Sequence, residues 1–248
     1  VVRINKRKIA RFLLVKFKIN RYEHFDGAPS VALRYLETLR ELGIENDSNG
    51  LDVFYPPSAA DWAWSFLRNA GLQEGQPLIG VCPSAKHFNK MWLKDRFAQT
   101  AATLALDHES AVALFGAGPL EKARGDEIKQ MIHSAAPQIT VINLAGEVTL
   151  TQTTAIFDRC SIVITNDSGL MHIAAARKRK VVAIFGPTVK ELGFFPFGTD
   201  SIVVEHPSLP CRPCTHIGLP KCPKKHFRCM MEIPSSEVIE SARRLLQE

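Results

Sequence analysis

Ile162-Val163-Ile164-Thr165-Asn166-Asp167-Ser168-Gly169-Leu170-Met171-His172-Ile173-Ala174-Ala175-Ala176 reads as a buried strand, a sharp polar turn and a small-residue helix in one short stretch. Ile162 to Ile164 is β-branched and continuously apolar, the pattern of a strand covered on both faces in a parallel sheet. Ser168 can cap the helix that follows, which leaves first-turn amides and the positive helix end facing whatever lies beyond the strand. A phosphate or diphosphate suits that position. Gly169 permits close approach to the backbone, and His172, four residues after Ser168, shares its helix face. The plainer reading is a strand-to-helix corner with a satisfied histidine.

The same alternation extends to either side. From about residue 77, strands are expected at 78–82, 111–115, 140–143, 161–165, 180–185 and 201–204, with helices at 94–106, 120–134, 150–158, 168–177 and from Ser235 to Leu246. Strand–helix alternation of this kind predicts an α/β fold with a Rossmann-like parallel sheet, helices on both faces and right-handed crossovers. Ligands in such sheets bind beyond the carboxyl ends of the strands, so Ser84, Gly116, Gly146 and Asp167 should converge on one crevice. Residues 1–74 show no comparable unit. They hold a basic stretch, an amphipathic helix around Pro29 to Leu42 and another around Ala59 to Ala70.

Four further motifs accompany the corner. Asn166 to His172 is followed by Phe185-Gly186-Pro187-Thr188; Pro83-Ser84-Ala85 precedes Lys90 and Trp92; Ala113-Leu114-Phe115-Gly116 leads to Glu121; and Asn143-Leu144-Ala145-Gly146 precedes Leu150. Together, in this order and spacing, they resemble glycosyltransferase family 9, the lipopolysaccharide heptosyltransferases.

The resemblance implies a GT-B-type glycosyltransferase that moves heptose from ADP-heptose to the lipopolysaccharide inner core with inversion. It implies a C-terminal donor-binding half over 75–248. Residues 1–74 then look like a remnant of the acceptor-binding half and linker, with Arg34-Tyr35-Leu36-Glu37 and Leu51-Asp52-Val53-Phe54 at its end. The N-terminal half would be incomplete here, most of it lying ahead of Val1, and the family's acidic general base would have no counterpart in this sequence. Its partners would be a nucleotide-sugar donor and an inner-core acceptor, with no nucleic acid, no cofactor and no metal.

Chemistry and resemblance together assign the donor site. Lys90 is expected to hold the diphosphate, because a flexible ammonium can follow and neutralise a departing nucleoside diphosphate. His172 supports it, and both stand as the catalytic candidates for leaving-group stabilisation. Ser84, Ala85 and Lys86 share the phosphate loop, with the Ser84 hydroxyl the foremost contact. Glu121 would accept from the ribose hydroxyls, although beside Lys122 and Arg124 it could equally sit on a solvated helix face. Ser168 and Gly169 would contact the diphosphate and Val148 would pack on the base. Asp167, which like charge sets against phosphate, would hold sugar hydroxyls or backbone amides.

With 46% hydrophobic residues and a mean hydropathy of −0.03, the chain has the composition of a soluble globular protein. No run approaches a membrane span and no signal-peptide pattern opens the sequence, so the expectation is a cytoplasmic location, with peripheral contact at the inner membrane open. The net charge of +6 reflects Arg3, Lys6, Arg7, Lys8, Arg11, Lys16, Lys18 and Arg21, all ahead of the first acidic residue, Glu23. That stretch either attracts the anionic inner core or the anionic leaflet, or is a solvated face with Ile9, Phe12, Leu13 and Phe17 turned to the core.

Cys211, Cys214, Cys222 and Cys229 are separated by two, seven and six residues. They are read as packed reduced thiols or as a zinc site that lacks the second Cys-x-x-Cys of a ribbon. Cys82 and Cys160 fall in strands and read as buried small hydrophobes. A GT-B enzyme using another nucleotide sugar is the alternative function. A basic, zinc-stabilised nucleic-acid module is the remote one, and it has no use for the Asp-Ser-Gly-x-x-His corner.

Overall fold

The computed structural model describes residues 3–22 and 30–247. Six parallel strands, β1 Leu78–Cys82, β2 Ala111–Leu114, β3 Val141–Asn143, β4 Cys160–Asn166, β5 Lys180–Phe185 and β6 Ser201–Glu205, form one sheet in the order 3-2-1-4-5-6. β1 is buried at every position and β4 at all but Ser161, as their unbroken apolar runs require. Pairing carries β4 one residue past its expected limits at each end, because Cys160 aligns with Leu78 and Asn166 with Ile184. The order reverses between β1 and β4, so their carboxyl ends open a crevice where the two connections diverge.

Helices α4 (Lys94–Asp107), α5 (Gly118–Ala135) and α9 (Ser235–Gln247) cover one face, where Phe97, Leu104, Ile128, Ile132, Val238 and Leu245 meet Ile79, Val112 and Ile164. Helices α3 (Pro57–Asn69), α6 (Leu150–Phe157) and α7 (Gly169–Ala176) cover the other, where Ala63, Leu67, Phe157, Met171 and Ala174 meet Leu78, Val163 and Phe185. α6 starts on a capping box between Thr149 and Gln152. α5 begins earlier than expected because Gly118 and Pro119 suit its first positions.

The segment ahead of β1 is fastened to this unit. α3 buries Ala59, Ala63 and Leu67 in the sheet's second core. Arg177 donates to the Val53 carbonyl at 2.8 Å and pairs with Asp158 through both oxygens. Lys178 donates to the Leu51 carbonyl at 2.6 Å. Gly50 and Gly198 both adopt left-handed φ, and a Cβ on Gly198 would fall 2.4 Å from the Gly50 Cα, so this crossing admits no side chain.

The expected helix from 29 to 42 divides into α2 (Val31–Leu36) and a 3₁₀ turn, Glu37–Leu42, while Pro29 lies outside the described residues. At the junction the Thr38 hydroxyl takes the Tyr35 carbonyl. Helix α1 (Lys8–Phe17) corrects the core-facing reading of the basic stretch. Ile9, Phe12 and Phe17 are exposed, and the helix packs instead through Ala10 and Leu14 against Tyr22 and Leu192. At its two ends, Arg7 is buried and Lys18, an exposed residue, donates to the Pro213 carbonyl at 2.6 Å. A short α8 (Arg228–Met231) precedes α9. Among the described residues no helix is long and apolar enough to cross a membrane.

Candidate functional site

The loops that leave β1, β2, β3 and β4 meet at the crevice. Seven of the expected residues, Ser84, Ala85, Lys86, Glu121, Val148, Ser168 and Gly169, line one cleft of about 410 Å³. Lys90, Asp167 and His172 are not on that lining. They form an adjoining group, joined to it through the chain.

In that group the Lys90 ammonium lies 2.6 Å from Asp167 Oδ2, both side chains being largely buried. The Thr188 hydroxyl donates to the same oxygen at 2.6 Å. Asp167 is thus held by a cation and a hydroxyl, where sugar hydroxyls or backbone amides were expected. Burial holds the pKa of His172 below its ordinary value; Asp167 pulls it upward and Lys90 presses it down. Asp167 and Lys90 both act on that imidazole, one turn into the helix Asp167 precedes.

Ser168 occupies the N-cap of α7, yet its hydroxyl makes no cap bond and lies 3.4 Å from the Thr165 hydroxyl. The first-turn amides therefore keep their donor capacity for something outside the helix. Across the cleft the buried Ser84 hydroxyl has no hydrogen-bond partner among the described residues. A polar atom in that condition favours a ligand oxygen strongly. Glu121 accepts from the Ala117 amide at 2.6 Å and packs against Gly116, where a Cβ would come within 2.9 Å of its carboxylate.

The phosphate loop is fixed at several points. Asn166 Oδ1 accepts the Trp92 amide at 3.0 Å, and the fully buried Trp92 indole donates to the Ile233 carbonyl at 3.1 Å. Arg124 donates to the Pro83 carbonyl at 3.0 Å and to the Trp92 carbonyl at 2.6 Å, clamping both ends of the loop. Burial lowers its pKa. Arg124 is thus no solvated face residue, and its role went unread because its partners are two carbonyls distant in sequence. The signal available was its place three residues after Glu121, on the same side of α5. Thr188 was legible only as part of a motif; its bond to Asp167 depends on the β4 and β5 loops meeting.

All six cysteines are free thiols. Burial raises the pKa of Cys82 and Cys160, and pushes Cys229 up to about 12. Cys211 Sγ lies 3.7 Å from His226 Nε2. Among the described residues no three His, Cys, Asp or Glu side chains are grouped to hold a metal ion.

Comparison with known proteins accords with this geometry. Residues 17–224 match the family model described as glycosyltransferase family 9 (heptosyltransferase). The sequence is 35% identical over 177 residues to lipooligosaccharide heptosyltransferase 2 of Campylobacter jejuni subsp. jejuni serotype O:2, covering 71% of this chain and 53% of that protein. The structure of Escherichia coli ADP-heptose lps heptosyltransferase II is similar with a TM-score of 0.61 and 26% identity, over 79% of this chain and 53% of that one. A family 9 glycosyl transferase from Veillonella parvula gives 0.68 at 24% identity, over 88% and 60%, and shows the fold. The chain spans about half the length of the curated relatives it matches.

Proposed function

The chain belongs to glycosyltransferase family 9, and from that membership we propose that its crevice binds the donor of an inverting heptose transfer from ADP-heptose to the lipopolysaccharide inner core. The observation that carries this reading is the unpartnered Ser84 hydroxyl, which shares one cleft with the uncapped first turn of α7. A hydroxyl without a partner, free helix amides and a neighbouring ammonium are the donor set of a diphosphate site.

In this proposal the α7 amides and Ser84 take diphosphate oxygens. Lys90 has three N–H donors and uses one on Asp167. The others can reach the phosphate as negative charge builds on the leaving group, so the interaction strengthens along the reaction. Asp167 and Thr188 hold that ammonium in place. Burial holds the His172 pKa below its ordinary value, and a diphosphate bound beside it would raise that pKa. Glu121 keeps one oxygen on the Ala117 amide and offers the other to the ribose. Val148 gives the base an apolar contact. The acceptor hydroxyl's base is assigned to no residue of this chain, and the scheme uses no metal or cofactor. A cytoplasmic setting, where nucleotide sugars are made, fits this reading.

Calorimetric titration with ADP, UDP and GDP tests it. ADP should bind in preference to the other two, and Lys90→Ala and His172→Ala should each weaken it. A preference for UDP or GDP would favour a GT-B enzyme using another nucleotide sugar; no nucleotide binding would overturn the donor assignment.

A further inference from the structure

Four of the six thiols lie in the loop over 206–227 and the short α8 that follows it, outside the donor cleft. Two of them, Cys211 and Cys214, line one cavity of about 510 Å³ with His226, Lys16, Lys18 and Lys224. Both are partly exposed. Cys82 and Cys160 are buried in strands, and Cys229 is buried with its pKa pushed up to about 12, so these three stay protonated and closed to a reagent. Cys222 is partly exposed but is not on the lining.

Two groups converge on the turn that carries Cys211 and Cys214. The Nδ1 of His226 accepts the Arg228 amide at 3.1 Å, which leaves the proton of the neutral ring on Nε2. That nitrogen lies 3.7 Å from Cys211 Sγ and can donate to the sulfur as the thiol gives up its proton. The Lys18 ammonium is bonded to the same turn, through the Pro213 carbonyl at 2.6 Å, and to the Val15 carbonyl at 2.7 Å. Burial lowers the Lys18 pKa, and Cys214 and then Cys211 draw it back up, so this cation lies in the field of both sulfurs. A sulfur beside a cation and a directed N–H is placed to attack, and a second thiol three positions on can resolve what it forms.

The turn is also tied to the donor site. Arg212, between the two cysteines, donates to the Gly186 carbonyl at 2.6 Å and the Thr188 carbonyl at 3.0 Å, and the Cys214 amide donates to the Pro187 carbonyl at 3.1 Å. Thr188 is the residue whose hydroxyl holds Asp167. Farther along the loop, the Leu219 amide donates to Oδ1 of the buried Asn89, beside Lys90, at 2.7 Å.

We propose that Cys211 and Cys214 form a thiol–disulfide exchange site for an anionic low-molecular-weight disulfide of the glutathione class. Lys16, Lys18 and Lys224 suit its carboxylates, and the cavity falls within the roughly 300–1,000 Å³ of pockets that take small molecules. Cys211 attacks one sulfur of the disulfide: a bond from Cys211 to glutathione forms, the glutathione S–S bond breaks, and the leaving thiolate takes up the proton that Cys211 gave up. Cys214 then attacks Cys211 Sγ and displaces the second glutathione with the same proton balance, closing a disulfide within the turn. One disulfide is reduced to two thiols as the two protein thiols are oxidised, and no further oxidant is needed. Closure pulls on the backbone that carries Arg212 and the Cys214 amide, so the oxidised chain should bind ADP more weakly. That consequence alone rests on the donor reading above.

The full chain, dialysed against a chelator and incubated with glutathione disulfide, is trapped with acid and mapped by mass spectrometry. A mixed disulfide on Cys211 should appear first and give way to a disulfide between Cys211 and Cys214. In Cys214→Ser the mixed disulfide should persist, and in Cys211→Ser neither product should form; both variants should bind ADP as the unaltered chain does. His226→Ala should slow the exchange roughly tenfold, the loss of one hydrogen bond. With each rate taken relative to N-acetylcysteine, glutathione disulfide should react faster than neutral hydroxyethyl disulfide or cationic cystamine, and added salt should erase the difference. ADP affinity should fall roughly tenfold on oxidation and return with dithiothreitol. Reaction at Cys222 in place of this pair, an unchanged rate in His226→Ala, or no preference for the anionic disulfide would overturn the proposal. Undiminished ADP affinity in the oxidised chain would overturn the link to the donor site. A reduced chain that exchanges as described yet binds no ADP would instead sink the donor reading and leave the exchange site standing.

Discussion

The Lys90 ammonium is paired within the chain, 2.6 Å from Asp167 Oδ2, with the carboxylate 5% exposed. The proposed phosphate ligand is therefore also the counter-ion of a buried acid, and its removal has two consequences. Lys90→Ala should weaken ADP binding and also destabilise the fold by about 3 kcal/mol, because an uncompensated buried carboxylate remains. Lys90→Met with Asp167→Asn removes both charges and should recover most of the stability without recovering ADP affinity. Denaturant melts beside calorimetry separate the two effects; ADP affinity returning with stability would show that Lys90 acts on the fold alone.

His172 should make stability and ligand binding depend on pH. Burial, the foremost influence, holds its folded pKa below the ordinary 6.5. As pH falls through 6.5 the unfolded chain takes the proton first, so stability drops across the window down to the folded pKa and then levels off. The difference in denaturation midpoint between the unaltered chain and His172→Gln should follow that course. An incoming diphosphate raises the imidazole pKa, so ADP binding at mildly acidic pH should take up protons. Calorimetry in buffers of different ionisation enthalpy measures this, and equal uptake by His172→Gln would exclude His172 as the group responsible.

The sheet was legible because buried parallel strands announce themselves as short unbroken apolar runs, Leu78–Cys82 and Ile162–Ile164 foremost. Wherever such a run was bounded by a polar turn, its limits held to within a residue or so. Ahead of β1 the helix expected around Ala59 to Ala70 forms as Pro57–Asn69, whereas in the basic stretch the signal failed for a physical reason. One of the two readings of that stretch turned Ile9, Phe12, Leu13 and Phe17 to the core, yet Ala10 and Leu14 make the contact while Ile9, Phe12 and Phe17 stay in solvent. A helix that packs through its less apolar stripe is invisible to periodicity. In the site, side chains carried on one loop or helix start could be read as a group. Arg124, Thr188 and Asn166 could not, since each acts by closing a gap between loops that only the folded sheet brings together.

Glu121 offers a test on the ligand side. If its carboxylate accepts from the ribose, Glu121→Ala should weaken ADP at least roughly tenfold, the loss of a hydrogen bond to a charged group. The same change should leave 2′,3′-dideoxy-ADP unaffected. Gly116→Ala should act similarly, because its Cβ would press within 2.9 Å of Glu121 Oε2. A uniform loss with both nucleotides would place Glu121 in loop structure and away from the ribose.

Arg124 reaches two carbonyls that bracket the phosphate loop, Pro83 at its start and Trp92 at its end. No ligand contact is needed for it to matter, since it fixes the separation of Ser84 from Lys90. Removing it leaves both carbonyls short of a donor and lets the two ligand groups drift apart, so Arg124→Ala should lower ADP affinity roughly tenfold. Arg124→Lys should fail to restore it, because a single ammonium lacks the rigid fork that spans both acceptors. Calorimetry on the two variants, beside a thermal melt showing that each still folds, checks this. Full ADP affinity in Arg124→Lys would mean that charge near the loop suffices and that the clamp contributes nothing to holding Ser84 and Lys90 in register.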